Sequence, residues 1–176
     1  MKRIIISLLV CLTCLCTFSQ INTTIWGVTI NKSKKQQVIT KLQNKGFRKI
    51  EKLDFDDVLY VKDYSKSGKI RFGGISWESA HFNFYKGVLY RIEFHRPIYY
   101  YDGLTNDYIR KSIQDALAQK YSVYFLNEVN EYNKHEIWYY DNVLMLGFLE
   151  DDQDFSLIYC DNLSFMRKQY EDNNEY

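Results

Sequence analysis

With one proline, three histidines and a single cysteine beyond residue 16, the chain lacks most of what a metal centre, a disulfide scaffold or a thiol active site is built from. Cys11, Cys14 and Cys16 crowd the N-terminus, so Cys160 is alone in the body of the chain and no internal disulfide can form there. Stability must come from packing. Neither sign of charge dominates: 23 Lys and Arg stand against 22 Asp and Glu, with no basic block longer than a few residues. Nucleic acid and anionic membrane are therefore poor partners. A structural zinc site needs about four converging ligands, which His81, His95 and His135 do not offer. There is no Gly-x-Ser-x-Gly elbow, and the acidic EDDQD at 150–154 lacks the glycine and distal glutamate of an EF-hand loop, so it reads as a solvated hairpin turn. The two glycines of FGGIS at 72–76 open no helix, which leaves a bulge or bend rather than a phosphate cradle. No cofactor is implied.

What the chain does have is a leader and many rings. MKRIIISLLVCLTCLCTFSQ carries Lys2 and Arg3, an apolar run over 4–18, and Thr17 and Ser19 spaced as small residues before a cut at Gln20. That is the plan of a secretory signal peptide, residues 1–19, too short to span a bilayer comfortably. Lipid anchoring fits less well, because Val10, Thr13 and Leu15 precede the three cysteines where a small residue is wanted. Cleavage leaves roughly 157 residues in the periplasm or outside the cell, a size suited to one domain that buries about two-thirds of its unfolded surface. Sixteen tyrosines and eleven phenylalanines favour strands and recognition surfaces.

Two helices are expected. In NKSKKQQVITKLQNKGF, Ser33 and Gln36 have capping-box spacing, Val38, Ile39 and Leu42 form a stripe, and Gly46 stops the helix. In LTNDYIRKSIQDALAQKYSV, Thr105, Asn106 or Asp107 can cap, and Ile109, Ile113, Ala116 and Leu117 recur at helical spacing, with Tyr121 closing the stripe. Strands surround them: IWGVTI, DVLYVKDY, KIRFGGISW, a hairpin over 80–94, EIWYYDNVLMLGFL and DFSLIYC. The segregated strand runs predict an α+β domain over 20–166, two helices packed on mainly antiparallel sheet, with a polar tail at 167–176 that frays. The order, a helix followed by hairpins and then again, suggests a tandem duplication without a residue-level repeat.

The hairpin register decides which side chains face outward. A three-residue loop of Tyr85, Lys86 and Gly87 pairs Phe84 with Val88, Phe82 with Tyr90 and Ala80 with Ile92, gathering the apolar set on one face. Trp77, His81, Asn83, Leu89, Arg91, Glu93 and His95 then line the other. In that register His81 faces Arg91, and His95 lies four residues further along, about 13 Å at roughly 3.3 Å per residue, too far to share a metal. Asp141 and Asn142 suit the turn of the next hairpin, whose second face (Trp138, Tyr140, Val143, Met145, Leu149) is also apolar and needs a cover, from the N-terminal strand or a partner. Cys160 alternates beside Ile158 and reads as a buried, inert thiol. LDFDD at 53–57 reads as a loop. In RPIYYYDG, Pro97 stops the strand, and Tyr99, Tyr100 and Tyr101 sit in a connector that is either a recognition surface or a set of rings tucked against the sheet end.

At GISWESAHFNFYKGVLYRIEFH, and again at HEIWYYDNVLMLGF and FSLIYCD, the chain resembles a loose class of small, largely uncharacterised exported proteins of Gram-negative gut bacteria. The resemblance implies export and no catalytic residues. In outline the duplicated plan is also similar to tandem-repeat protein inhibitors of secreted enzymes. The function expected is non-catalytic binding of a protein or envelope component, of inhibitor or immunity type, through Trp77, His81, Arg91, His95, Tyr99, Tyr100 and Tyr101. The alternative is an envelope hydrolase acting on carbohydrate or peptide, with distant acids such as Glu93 and Glu136 brought into one cleft. Self-association that buries the second apolar face is a third reading.

Overall fold

The computed structural model describes residues 21–49, 58–63, 70–97, 106–121, 123–129, 134–140, 144–150 and 154–174. The leader, LDFDD, the tyrosines at 99–101, the Asp141 and Asn142 turn and the middle of EDDQD lie outside the described residues.

IWGVTI is not one strand. Trp26 and Gly27 have φ of +52° and +84°, both in the left-handed region that a two-residue type I′ turn requires. The segment therefore folds back, β1 (Thr24–Ile25) pairing antiparallel with β2 (Val28–Thr29). Trp26 lands on the core, its ring 4.7 Å from Phe47 and 5.3 Å from Phe94.

Helix α1 (Lys35–Gln43) starts one residue later than the Ser33 and Gln36 spacing predicts. Ser33 Oγ is taken by the Thr29 amide at 2.9 Å, and the capping bond runs from Lys34 N to Gln37 Oε1 at 3.0 Å. Val38 and Leu42 are buried as the stripe requires, and Gly46, at φ +88°, ends the helix. Strands β3 (Phe47–Lys49) and β4 (Val58–Asp63) follow. Then β5 (Ile70–Phe72) and β6 (Ile75–Trp77) form a separate hairpin, with Gly73 and Gly74 at φ +61° and +78°.

Next come β7 (Ser79–Tyr85), β8 (Val88–Pro97) and helix α2 (Asn106–Lys120), which buries Ile109 and Ile113 and packs Leu117 and Tyr121 against the same core. β9 (Val123–Val129), β10 (Lys134–Tyr140), β11 (Leu144–Glu150), β12 (Asp154–Asp161) and helix α3 (Asn162–Asn174) complete the chain. Eight strands make one antiparallel sheet in the order β3-β4-β7-β8-β12-β11-β10-β9. The fold is α+β. Each half is a helix followed by four strands of a meander, and the halves meet last strand to last strand at β8 and β12. Among the described residues, the β1–β2 and β5–β6 hairpins and α3 stand outside this two-fold plan.

One sheet face carries the main core. Ala80, Phe82, Ile92 and Phe94 from the first half join Leu144, Leu146, Phe148 and Phe155 from the second, beneath Val38, Leu42, Ile109 and Ile113. Phe94 stacks on Phe72 at 4.2 Å between centroids, and Arg96, fully buried at the end of the same row, donates from Nη1 to the Ser76 carbonyl at 2.6 Å. That bond ties the β5–β6 hairpin to the sheet.

The β7–β8 register differs from the three-residue loop expected. Lys86 and Gly87 alone form the turn, at φ +50° and +76°, and a bulge opposite the step from Asn83 to Phe84 inserts one residue into β8. Phe82 thus pairs with Ile92 and Ala80 with Phe94. The extra residue also exchanges two neighbours between faces: Leu89 enters the main core, and Tyr90 joins the opposite face. Glycine is required at the second corner, so Gly87→Ala should cost about 1–2 kcal/mol, the usual penalty of a left-handed L-residue, and lower the midpoint of a urea melt.

Trp77 does not face outward as expected. Strand alternation carried back from β7 puts it on the outer face, but a bend at Glu78 separates β6 from β7. The ring is fully buried, 5.7 Å from both Phe94 and Phe155, and its indole N–H donates to the Phe72 carbonyl at 3.1 Å. It is a core residue with no surface to offer a partner.

Part of the second apolar face is covered from within the chain, although Tyr140 is exposed and Val143 lies outside the described residues. Tyr90, Trp138, Met145, Ile158 and Cys160 form a smaller cluster, with Tyr85, Leu149 and Phe165 packed against it. Phe165 belongs to α3, so residues 167–174, expected as a fraying tail, are the end of the helix that supplies the cover. Asp161 starts that helix by accepting from the Ser164 amide at 2.7 Å, and Glu171 holds its far end by accepting from Tyr85 Oη at 2.7 Å and Lys86 Nζ at 2.9 Å.

Candidate functional site

Because α1 and α2 pack on one sheet face and α3 crosses one end of the other, the remaining outer surface of β7, β8 and β12 carries no helix among the described residues. The corrected register arranges it. Glu93 stands opposite His81, Arg91 opposite Asn83 and His95 opposite Ser79; on the other side, Ser156 stands opposite His95 and Cys160 opposite Arg91. His81 and His95 are therefore two residues out of step rather than four. Their rings lie 5.7 Å apart at 22°, stacked, not the 13 Å of the expected register.

Two sets of hydrogen bonds hold these side chains, Ser79 with His81 and Arg91 with Glu93, Ser156 and His95. Ser79 Oγ meets His81 Nε2 at 3.1 Å; Arg91 Nη2 donates to Glu93 Oε2 at 2.7 Å; Ser156 Oγ donates to Glu93 Oε1 at 2.8 Å; and His95 Nδ1 lies 3.3 Å from Ser156 Oγ. Since the Ser156 hydroxyl proton is spent on Glu93, His95 Nδ1 must be the donor to Ser156. His95 Nε2 then faces Asp154 Oδ2 at 3.3 Å, a contact that becomes an ion pair when the ring is protonated. Arg91 and Glu93 keep 23% and 18% of their side-chain surface exposed, so the pair is shielded but reachable.

Burial holds the His81 imidazole down to about 4, with His95 and Arg91 adding to the effect and Glu93 opposing it. For Glu93 burial works upward, but Arg91, the Ser156 hydroxyl and His81 together outweigh it and keep the carboxyl below its ordinary value. Cys160 is fully buried, and its thiol is pushed up to about 12 by burial against the opposing pull of Arg91.

Ser156, His95 and Asp154 superficially resemble a nucleophile, base and orienting acid. The geometry does not serve that chemistry. A nucleophilic hydroxyl must pass its proton to the imidazole, whereas Ser156 directs it to Glu93 and is itself buried. β12 is paired on both sides, by β8 and β11, so its amides are engaged in ladders and not free to receive an oxyanion. Nor do the strands unite Glu93 with Glu136: β12 and β11 lie between β8 and β10, three strand spacings or about 14 Å. Among the described residues no group of three or more His, Cys, Asp and Glu is arranged to hold a metal ion, and no helix is long and apolar enough to cross a membrane.

Of the residues singled out from sequence, His81, Arg91 and His95 come together here, Trp77 is in the core, and Tyr99, Tyr100 and Tyr101 lie outside the described residues. Ser79, Asp154 and Ser156 are members that sequence reasoning missed. The alternation that puts Cys160 beside Ile158 also puts Ser156 and Asp154 on the same face, so the signal was present. Comparison of the chain with protein-family models, with curated proteins and with solved structures finds no match.

Proposed function

We propose that this is an exported, non-catalytic binding protein that holds another protein or an envelope component on the outer face of β7, β8 and β12. The observation that carries this reading is a set of charged and ring side chains, Arg91, Glu93, His81 and His95, held beside one another by hydrogen bonds and ring stacking on a sheet face that no helix among the described residues covers. Pre-fixed side chains lose little entropy on association, which favours recognition over adaptable packing. The signal-peptide plan of the first 19 residues supports export. The two-fold plan of helix and meander supports the inhibitor or immunity version of this function, at the level of architecture.

A photo-crosslinking residue tests the face directly. Placed at Asn83, in register with Arg91, it should capture a discrete product from native cell envelopes, whereas the same residue at Tyr108, exposed on α2, should not. Equal capture at both positions, or capture at Tyr108 alone, would place the contact elsewhere and end this reading.

A further inference from the structure

The β7–β8 turn and α3 enclose a groove that the hydrogen-bonded network does not use. Its volume is about 450 Å³; Tyr85 and Lys86 form one wall, and Met166, Arg167, Tyr170 and Glu171 form the other. Tyr85 belongs to the same outward row of β7 as His81 and Asn83, so the groove continues the face rather than standing apart from it. Glu171 ties the two walls together, its Oε1 accepting from Tyr85 Oη at 2.7 Å and from Lys86 Nζ at 2.9 Å. The groove is thus preformed, and Lys86 cancels Glu171 in charge.

What remains uncommitted is apolar surface and one cation. Leu163, Met166 and Tyr170 are 65%, 60% and 72% exposed and recur at helical spacing along one side of α3. The water-facing side of a surface helix is ordinarily polar, so such a stripe marks a contact surface. Arg167 lies beside it, exposed, and among the described residues no hydrogen bond, ion pair or ring contact engages it. A free guanidinium calls for a carboxylate, which its planar fork matches with two hydrogen bonds. A second copy of this chain does not supply one from α3: it would bring another Arg167, while the acids of that helix are already paired, Glu171 with Lys86 and Asp172 with Lys168.

We propose that the groove between the β7–β8 turn and α3 is a peptide site, which takes a short segment of a partner protein carrying a carboxylate beside an aromatic side chain. The carboxylate is held by Arg167, and the ring lies against Met166 and Tyr170. As the anchor of the partner inferred above, the groove rests on that function; as a carboxylate site it does not, and the protein alone tests it.

Amide and arginine side-chain NMR of the protein, titrated with the blocked peptide acetyl-Gly-Phe-Glu-Phe-Gly-amide, decides the matter. The amides of Tyr85, Lys86 and Met166–Glu171 and the Arg167 Nε–H should shift together. No residue of α3 is buried, so its variants should fold, which an unchanged circular dichroism spectrum checks. Arg167→Gln should weaken the peptide about threefold or more, and Tyr170→Ala about fivefold. The same peptide with Gln in place of Glu should bind the wild-type protein as weakly as the Glu peptide binds Arg167→Gln, and should be indifferent to that substitution. Equal binding of the two peptides by the wild-type protein, shifts centred elsewhere, or an Arg167 signal that moves as far with inorganic phosphate alone would each overturn the proposal. So would the same shifts on raising the protein concentration without peptide, since a second copy would then be the occupant. A titration that holds while crosslinking at Asn83 fails would remove the function proposed above and leave the groove; the reverse pair of results would remove the groove and leave the function.

Discussion

Gly147→Val should lower the unfolding free energy by about 3 kcal/mol, the upper part of the range for an overpacked core. Strand propensity alone predicts the opposite sign, because glycine weakens a strand interior and valine strengthens it. The difference lies across the ladder. Gly147 is in register with Trp138, whose indole lies over the glycine so closely that a Cβ would meet three ring carbons at 2.6, 2.7 and 2.8 Å. The ring has little freedom to yield: only 7% of Trp138 is exposed, and Tyr90, Met145, Ile158 and Cys160 belong to the same packed cluster. Urea unfolding followed by circular dichroism measures the loss. Combining Gly147→Ala with Trp138→Leu should recover much of the loss of the alanine variant alone, since the smaller side chain no longer lies over position 147. Unchanged stability in Gly147→Val would mean that the indole is not seated there.

That pair shows where a sequence can be read and where it cannot. The helix stripes are legible because a helix repeats its own environment every three or four residues: Val38, Leu42, Ile109 and Ile113 are buried and Ile39 and Leu117 half-buried, whereas Ala116 is exposed. The inner-face row Ala80, Phe82, Ile92 and Phe94 was visible for the same reason at period two. Beyond the bulge faces survive the register error, because the two-residue turn together with the bulge shifts the pairing by an even number, while Leu89 and Tyr90, beside the turn, change places. Partners did not survive it. His81 was matched to Arg91 and not Glu93, which hid the stacked histidines. From sequence the longer loop is favoured because it gathers the apolar residues on one face, and the bulge that reaches the same faces from a two-residue turn leaves no mark in the sequence. Helix α3 was missed for a different reason: none of its residues is buried, and Leu163, Met166 and Tyr170 are all more than half exposed, so hydrophobic periodicity had nothing to register. Its start signal, Asp161 three residues before Ser164, was legible but sits at the end of a strand.

Removing Glu93 should have the second large effect, because it is the member on which the outer network converges. Glu93→Ala leaves the Arg91 guanidinium without its carboxylate at 2.7 Å and the Ser156 hydroxyl without its acceptor at 2.8 Å. Arg91 Nε already has no hydrogen-bond partner and is buried, so the guanidinium has few other bonds to rely on. A shielded cation stripped of its partner costs about 3 kcal/mol, the lower end for buried pairs, since both side chains retain some solvent contact. Glu93→Gln keeps one acceptor oxygen, which can serve Arg91 or Ser156 but not both in this arrangement, so its cost should fall between that of the alanine variant and wild type. Replacing Arg91 and Glu93 together by alanine should cost less than the two single changes added, because neither charge is then left unpaired. The pH dependence separates this from simple loss of packing. The Glu93 carboxyl is held below 4.5 in the folded protein, so its contribution is complete above that value and fades as pH falls through the folded value. The gap between wild type and Glu93→Ala should therefore be wide at pH 7 and close as pH falls below 4.5 through the folded value. A gap that stays constant down to acid unfolding would show that the carboxylate acts through its volume and not its charge. Glu93 also opposes the burial that depresses His81, so in Glu93→Gln the His81 midpoint should fall below its wild-type position near 4. A midpoint that rises instead would mean that the imidazole answers to some group other than the carboxylate paired with it across the hairpin.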